Sequence, residues 1–236
     1  MPIDTSMPRS PARRTFLRTS GTAAAGLACA PALASGNSAR FADDFVWGVA
    51  ASAAQTESRD GRGRSNWDEF ADRAGTIADG SSNARCTEFE RRYPTDLEWM
   101  AAAGIRAFRF SIAWPRVQPQ GPGAPSDAGL ATYDRMVDAM LARGIVPFPT
   151  LFHWDTPVWA GDFRKRDIAY RLADYADRVT RRLGDRVKHW IVLNEPNSLA
   201  LRGYGMGVHA PGLRSPEGVF AAMHHQNLAQ GLAFQA

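Results

Sequence analysis

Along residues 41–236, short apolar runs alternate with longer stretches in which apolar positions recur every three or four residues. The short runs predict buried strands over residues 45–51, 107–112, 146–153 and 189–194. The longer stretches predict helices. Leu130, Tyr133, Met136, Val137, Met140 and Leu141 form one stripe closed by Gly144, and Leu172, Tyr175, Ala176, Val179 and Leu183 form another closed by Gly184. Residues 217–236 also have helical composition. Strand followed by helix, four times over, predicts parallel βα units of the α/β class, with no antiparallel domain and no sequence repeat.

Polar residues break this pattern in one kind of place. Gln55 and Glu57 follow the first strand, Arg109 lies inside the second, His153 and Trp154 close the third, and Asn194 and Glu195 close the fourth. In a parallel barrel the carboxyl ends of all strands converge on one face, where active sites are built, so these clusters are expected to meet. Pro196 has no N–H to give to a ladder and so ends the fourth strand beside Glu195.

Composition adds bounds. The 236 residues are 44% hydrophobic and 22% charged, enough apolar material for a core. The formal charge of +4 hints at an anionic partner, but most of it comes from Arg9, Arg13, Arg14 and Arg18 in the first 34 residues, so no nucleic-acid partner is expected. There is no C-x-x-C and no metal-type His/Cys spacing, so neither a metal nor a cofactor is expected.

The N-terminus reads as an address. "RRTFL" at 13–17 precedes a mildly apolar stretch and then "ALAS" at 32–35. Twin arginines, a short weak apolar core and an A-x-A end resemble a twin-arginine export signal, which predicts a signal peptide over residues 1–34, a mature domain over 35–236 and a periplasmic or secreted product. The apolar run is too short to span a bilayer, which takes about 20 helical residues, so no membrane anchor is expected after cleavage. "GLAC" at 26–29 leaves lipoprotein processing at Cys29 as an alternative. Cleavage after Ala34 would leave Cys86 as the lone thiol.

The stretches "FVWGVAASAAQTE" (45–57), "DLEWMAAAGIRAFRFSIAWPRVQPQG" (96–121), "GLATYDRMVDAMLARGIVPFPTLFHWDTP" (129–157), "YADRVTRRLGDRVKHWIVLNEP" (175–196) and "GYGMGVHAPG" (203–212) together resemble glycoside hydrolase family 1, the family of β-glucosidases and related β-glycosidases. The resemblance implies a (β/α)8 TIM barrel, of which this chain supplies the first four βα units, and hydrolysis of β-linked glycosides with retention. It implies that Glu195 is the general acid/base, which calls for a partly desolvated carboxyl next to buried Leu193. It further implies that Asn194 binds the sugar 2-hydroxyl, that Gln55 and His153 hold the outer hydroxyls, that Trp154 walls the pocket, and that Arg109 lies under a nucleophilic carboxylate. Glu57 is expected to be structural or to support the residues that touch the sugar, and not to be catalytic. The partner is a β-glucoside or oligosaccharide, and nothing in the chain fixes the oligomeric state.

Three departures from the family pattern stand out. "EFERRY" (88–93) and "GDF" (161–163) replace family motifs, and no second Glu in a Thr-Glu-Asn-Gly-like segment follows Glu195; Glu217 in "SPEGV" reads as a helix start. Retaining hydrolysis needs two carboxyls about 5–5.5 Å apart. The chain therefore reads as the N-terminal half of a β-glycosidase, inactive alone, with a carbohydrate-binding pseudoenzyme of the same fold as the alternative. Such a half barrel is expected to expose strand edges and apolar helix-facing surfaces.

Overall fold

The computed structural model describes residues 40–236. The signal peptide expected over residues 1–34 lies outside the described residues. The chain divides into two compact units, Met1–Phe45 and Val46–Ala236. In the described part of the first, the Phe45 N–H reaches the Ala42 carbonyl at 2.9 Å and the Phe41 and Phe45 rings lie 4.4 Å apart.

The second unit runs β1 (Gly48–Ala50), α1 (Ala53–Thr56), α2 (Asn66–Ala71), α3 (Phe89–Ala102), β2 (Ala107–Ser111), α4 (Trp114–Val117), α5 (Asp127–Leu141), β3 (Val146–Phe152), α6 (Asp167–Leu183), β4 (Ile191–Leu193), α7 (Pro196–Leu199) and α8 (Pro216–Gln235). A 3-10 turn at Val158–Ala160 and a π-helical turn at Ala200–Gly205 complete it. The four strands pair in parallel in the order β1-β2-β3-β4, with Arg109 level with Ala50 on one side and Phe148 on the other.

Every expected strand is present, yet the two edge strands are shorter than their apolar runs. β4 pairs with β3 only from Thr150 onward. The reason lies in β3: Pro147 and Pro149 have no N–H to offer, so His189 and Trp190 find no ladder partner there. β1 starts late because β2 itself begins only after the turn at Gly104, which adopts φ +79°.

The two apolar stripes pack as expected, with one exception. Leu130, Tyr133, Met136, Val137 and Met140 of α5 and Leu172, Tyr175, Ala176, Val179 and Leu183 of α6 are buried against the sheet. Leu141 is instead 41% exposed; it lies one helical step, about 100°, around from Met140 and turns outward. Gly144, at φ +67°, closes α5 in the expected left-handed manner, and the Ile145 N–H reaches back to the Met140 carbonyl at 3.0 Å. Gly184 does not: its backbone stays right-handed at φ −68°.

Short connections set up the rim of the sheet. Ser65 caps α2 in a capping box with Asp68, each side chain accepting the other's N–H. Ser65 also bridges to Pro157, the Asn66 N–H reaches the Thr156 carbonyl at 2.8 Å, and the Val158 N–H reaches the Arg64 carbonyl at 3.0 Å. The loop after β1 is thus stitched to the segment that follows β3.

Candidate active site

The inner face of the sheet carries Arg109 and Thr150, while Phe108 and Phe110 point into the helical layer. Arg109 donates from Nε to the Thr150 hydroxyl at 3.2 Å and from Nη2 to Oδ1 of Asn194. Because the guanidinium can only donate, the Asn194 oxygen must face it. The Asn194 amide nitrogen then faces Nε2 of His153 at 2.9 Å. Nε2 must accept, which places the imidazole proton on Nδ1. Burial and the nearby charge of Arg109 pull the His153 pKa down to about 4, against a smaller opposing effect of Glu195, so the ring is neutral at physiological pH.

Trp154 adds a third hold on the same residue. Its indole N–H donates to the Asn194 carbonyl at 2.8 Å, from a backbone at φ +74°. Glu195 follows Asn194 at φ +39°. Two consecutive strand ends therefore carry bulky residues in the left-handed region, a conformation that costs about 1–3 kcal/mol each and concentrates where side chains must be aimed. This turn ends β4 and begins α7 with Pro196 at its first position.

The structure brings His153, Trp154, Asn194 and Arg109 into one bonded cluster. Gln55 sits on α1 across a cavity of about 550 Å³ lined by both Gln55 and His153. Its side-chain oxygen accepts from the Ser52 hydroxyl at 2.6 Å. Glu195 is not in the desolvated setting expected for it: Leu193 and Asn194 beside it are buried, but its own side chain is exposed, because no described residue covers it on the far side of β4. Arg109 serves Asn194 and Thr150; no carboxylate lies against it among the described residues.

The loop after α1 is held by a buried set of charged residues. Glu57 is 3% exposed and pairs with Arg116 at 2.8 Å, while the Tyr133 hydroxyl contributes a further hydrogen bond at 3.0 Å. Burial raises the Glu57 pKa, with Arg116 and Tyr133 opposing. The Arg116 guanidinium also donates to the carbonyls of Asp60 and Ser58, which fixes the loop leaving α1. This is the structural role expected of Glu57. Arg62 grips Asp68 with two bonds of 2.6 and 2.8 Å. Asp155 is buried with neither carboxyl oxygen hydrogen-bonded, and burial pushes its pKa well up. Trp67 and His209 also line the cavity; both occur in polar-aromatic surroundings, "SNWDEF" and "GVHAPG", that carried no strand-end signal.

Four parallel βα units with polar side chains gathered at the carboxyl ends of their strands place the protein among the (β/α)8 barrels, whose active sites lie on that face. The chain belongs to glycosyl hydrolase family 1, whose family model matches residues 37–236. It is 45% identical over 201 residues to thermostable beta-glucosidase B of Thermobispora bispora, covering 83% of this chain and 41% of that protein. To beta-glucosidase A of Thermotoga maritima it is 39% identical over 195 residues, covering 80% of this chain and 44% of that protein. The solved structure of a beta-glucosidase from Thermotoga maritima in complex with castanospermine superposes with a TM-score of 0.80 at 38% identity, over 83% of this chain and 46% of the other. The chain thus spans less than half the length of these relatives.

Proposed function

We propose that the chain is the acid/base-bearing half of a retaining β-glucosidase. Glu195 protonates the glycosidic oxygen and then activates water. Asn194 binds the 2-hydroxyl of the sugar, Gln55 and His153 its outer hydroxyls, and Trp154 forms the wall. Arg109 orients Asn194 and stands ready for a nucleophilic carboxylate supplied from outside residues 1–236. The product is exported through the twin-arginine-type N-terminus.

The observation that carries this reading is the Arg109–Asn194–His153 chain of hydrogen bonds beside Glu195, which pre-orients a neutral hydroxyl-binding imidazole next to a carboxyl. The test has two parts on chain 1–236. Castanospermine should bind in titration calorimetry and lose at least tenfold in affinity in Asn194→Ala. An aryl β-glucoside should not be turned over, since the second carboxyl is lacking. Absence of castanospermine binding overturns the site assignment; steady turnover, abolished in Glu195→Gln, overturns the assignment of the nucleophile to residues outside the chain.

A further inference from the structure

Asp155 follows Trp154 in the turn that leaves β3. It is 2% exposed, and neither carboxyl oxygen has a hydrogen-bond donor among the described residues. The N–H groups of His153 and of Asp155 itself face the carboxyl without closing a hydrogen bond on it. The side chain is thus folded back inside the turn that holds His153 against the Asn194 amide and the Trp154 indole against the Asn194 carbonyl.

The groups around it that could pair with a negative charge are engaged elsewhere. From the loop after α1, Arg62 gives two bonds to Asp68 of α2 and others to the Ser58 and Gly63 carbonyls. From α4, Arg116 goes to Glu57 and to the carbonyls of Asp60 and Ser58. Tyr133 of α5 donates to Glu57, and Tyr175 of α6 to the Ile112 and Leu151 carbonyls. Glu90 of α3 accepts from Ser58 and faces Arg91, and His153 is neutral. The pairs Arg62–Asp68 and Arg116–Glu57 balance in charge. An ionised Asp155 would be an extra buried anion with no counter-charge, which is costly. Burial accordingly raises the Asp155 pKa, with the backbone N–H groups and Arg62 opposing and Glu57 adding.

We infer that Asp155 is a positioning residue that acts as an uncharged carboxylic acid: protonated, it fills the turn and keeps His153 and Trp154 on Asn194, and on ionisation it swings toward water and releases that hold. Its bearing on sugar binding rests on the roles proposed above for His153 and Asn194. The hold itself can be read without a sugar, so the two readings stand or fall separately. The sign of the pH dependence follows from the proton. Its stabilising effect is full below the unfolded-state value near 3.8 and is lost as pH rises through the folded value.

The experiment compares chain 1–236 with Asp155→Asn, which keeps the shape of the neutral acid and cannot ionise. At pH 6 the parent-minus-variant infrared difference should show the carbonyl band of a neutral carboxylic acid; carboxylate bands in its place overturn the inference. As the pH is raised to 10, the Trp154 indole N–H resonance, assigned through Trp154→Phe, should move in the parent with the midpoint at which the acid band is lost. In Asp155→Asn it should stay fixed. The variant's folding constant relative to the parent's should rise by up to about tenfold per pH unit above pH 4 until that midpoint. Loss of the acid band without movement of the indole, or an acid band unchanged to pH 10, refutes the positioning role. If the variant does not fold, the parent labelled with carbon-13 at its aspartate carboxyls gives the same two midpoints by itself, because exposed aspartates are already ionised at pH 6.

Discussion

Asp68 shows how much one side chain is asked to do. It completes the cap of α2 through the Ser65 N–H at 2.7 Å, takes both bonds from Arg62, and receives Asn83. Burial alone would raise its pKa, but the hydrogen bonds and charge of Arg62, the Ser65 N–H and Arg59 outweigh it and hold the carboxyl at about 2, below its ordinary 3.8. A depressed pKa stabilises the fold above the unfolded-state value, and that contribution disappears as pH falls from about 4 through 2. At roughly 1.36 kcal/mol per unit the contribution is about 2 kcal/mol. Asp68→Asn should therefore lose at least about 2 kcal/mol at pH 7, more if Arg62 is left buried without its counter-charge. Denaturant unfolding at pH 7, 4 and 2 checks this: the variant's stability should change less between pH 4 and 2 than the parent's, and equal slopes would refute the assignment. Only the cap, Ser65 and Asp68 three apart, lies within "SNWDEF"; the other partners of Asp68 arrive from Arg59, Arg62 and Asn83, held there by tertiary contacts. The strand-end residues were legible, since strand periodicity alone says where Asn194 and His153 stand. What periodicity could not say is that Trp154 and Glu195 take left-handed backbones, or that Glu195 is open to solvent.

At the level of elements, long periodic segments were readable and short ones were not. α5 and α6 span several turns, so their apolar stripes repeat often enough to be recognised. α1, α4 and α7 have four residues each, too few for a period to show. β4 fell short because Pro147 and Pro149 remove donors from the neighbouring β3, an effect that crosses from one segment to another. α4 and α5 meet at a point where only a glycine fits. A Cβ on Gly129 would run into the Arg116 carbonyl, which is backbone and cannot swing aside. Gly129→Ala should cost more than the intrinsic helix gain of about 1 kcal/mol returns, for a net loss of about 1–3 kcal/mol from the overpacked contact. Because Arg116 carries Glu57 and the loop after α1, the same variant should also weaken castanospermine binding. A thermal midpoint at or above the parent's would refute this account.

For the second unit taken whole, the open sheet is the dominant fact. β1 and β4 each have one unpaired edge among the described residues, and β1 is exposed along its length. Beside β4 a groove lined by Trp190, Ile191, Val192 and Phe234 is uncovered, and Phe220 and Phe234 of α8 are 73% and 87% exposed. Unpaired strand edges and contiguous apolar surface favour association. Chain 1–236 at micromolar concentration should elute by light-scattering chromatography as concentration-dependent oligomers, and Val192→Lys together with Phe234→Lys should shift it toward monomer. A strictly monomeric parent would contradict the expectation.

The stitch between the loop after β1 and the segment after β3 has a consequence of another sort. Gln55 and Trp67 border one side of that seam and His153 and Trp154 the other, joined by Ser65–Pro157, Asn66–Thr156 and Val158–Arg64. The walls are therefore not free to fluctuate separately, since separating them breaks the shared backbone bonds. A ligand that grips only one wall damps the motion of both. The entropy lost in ordering the second wall is then already spent when a later contact forms there.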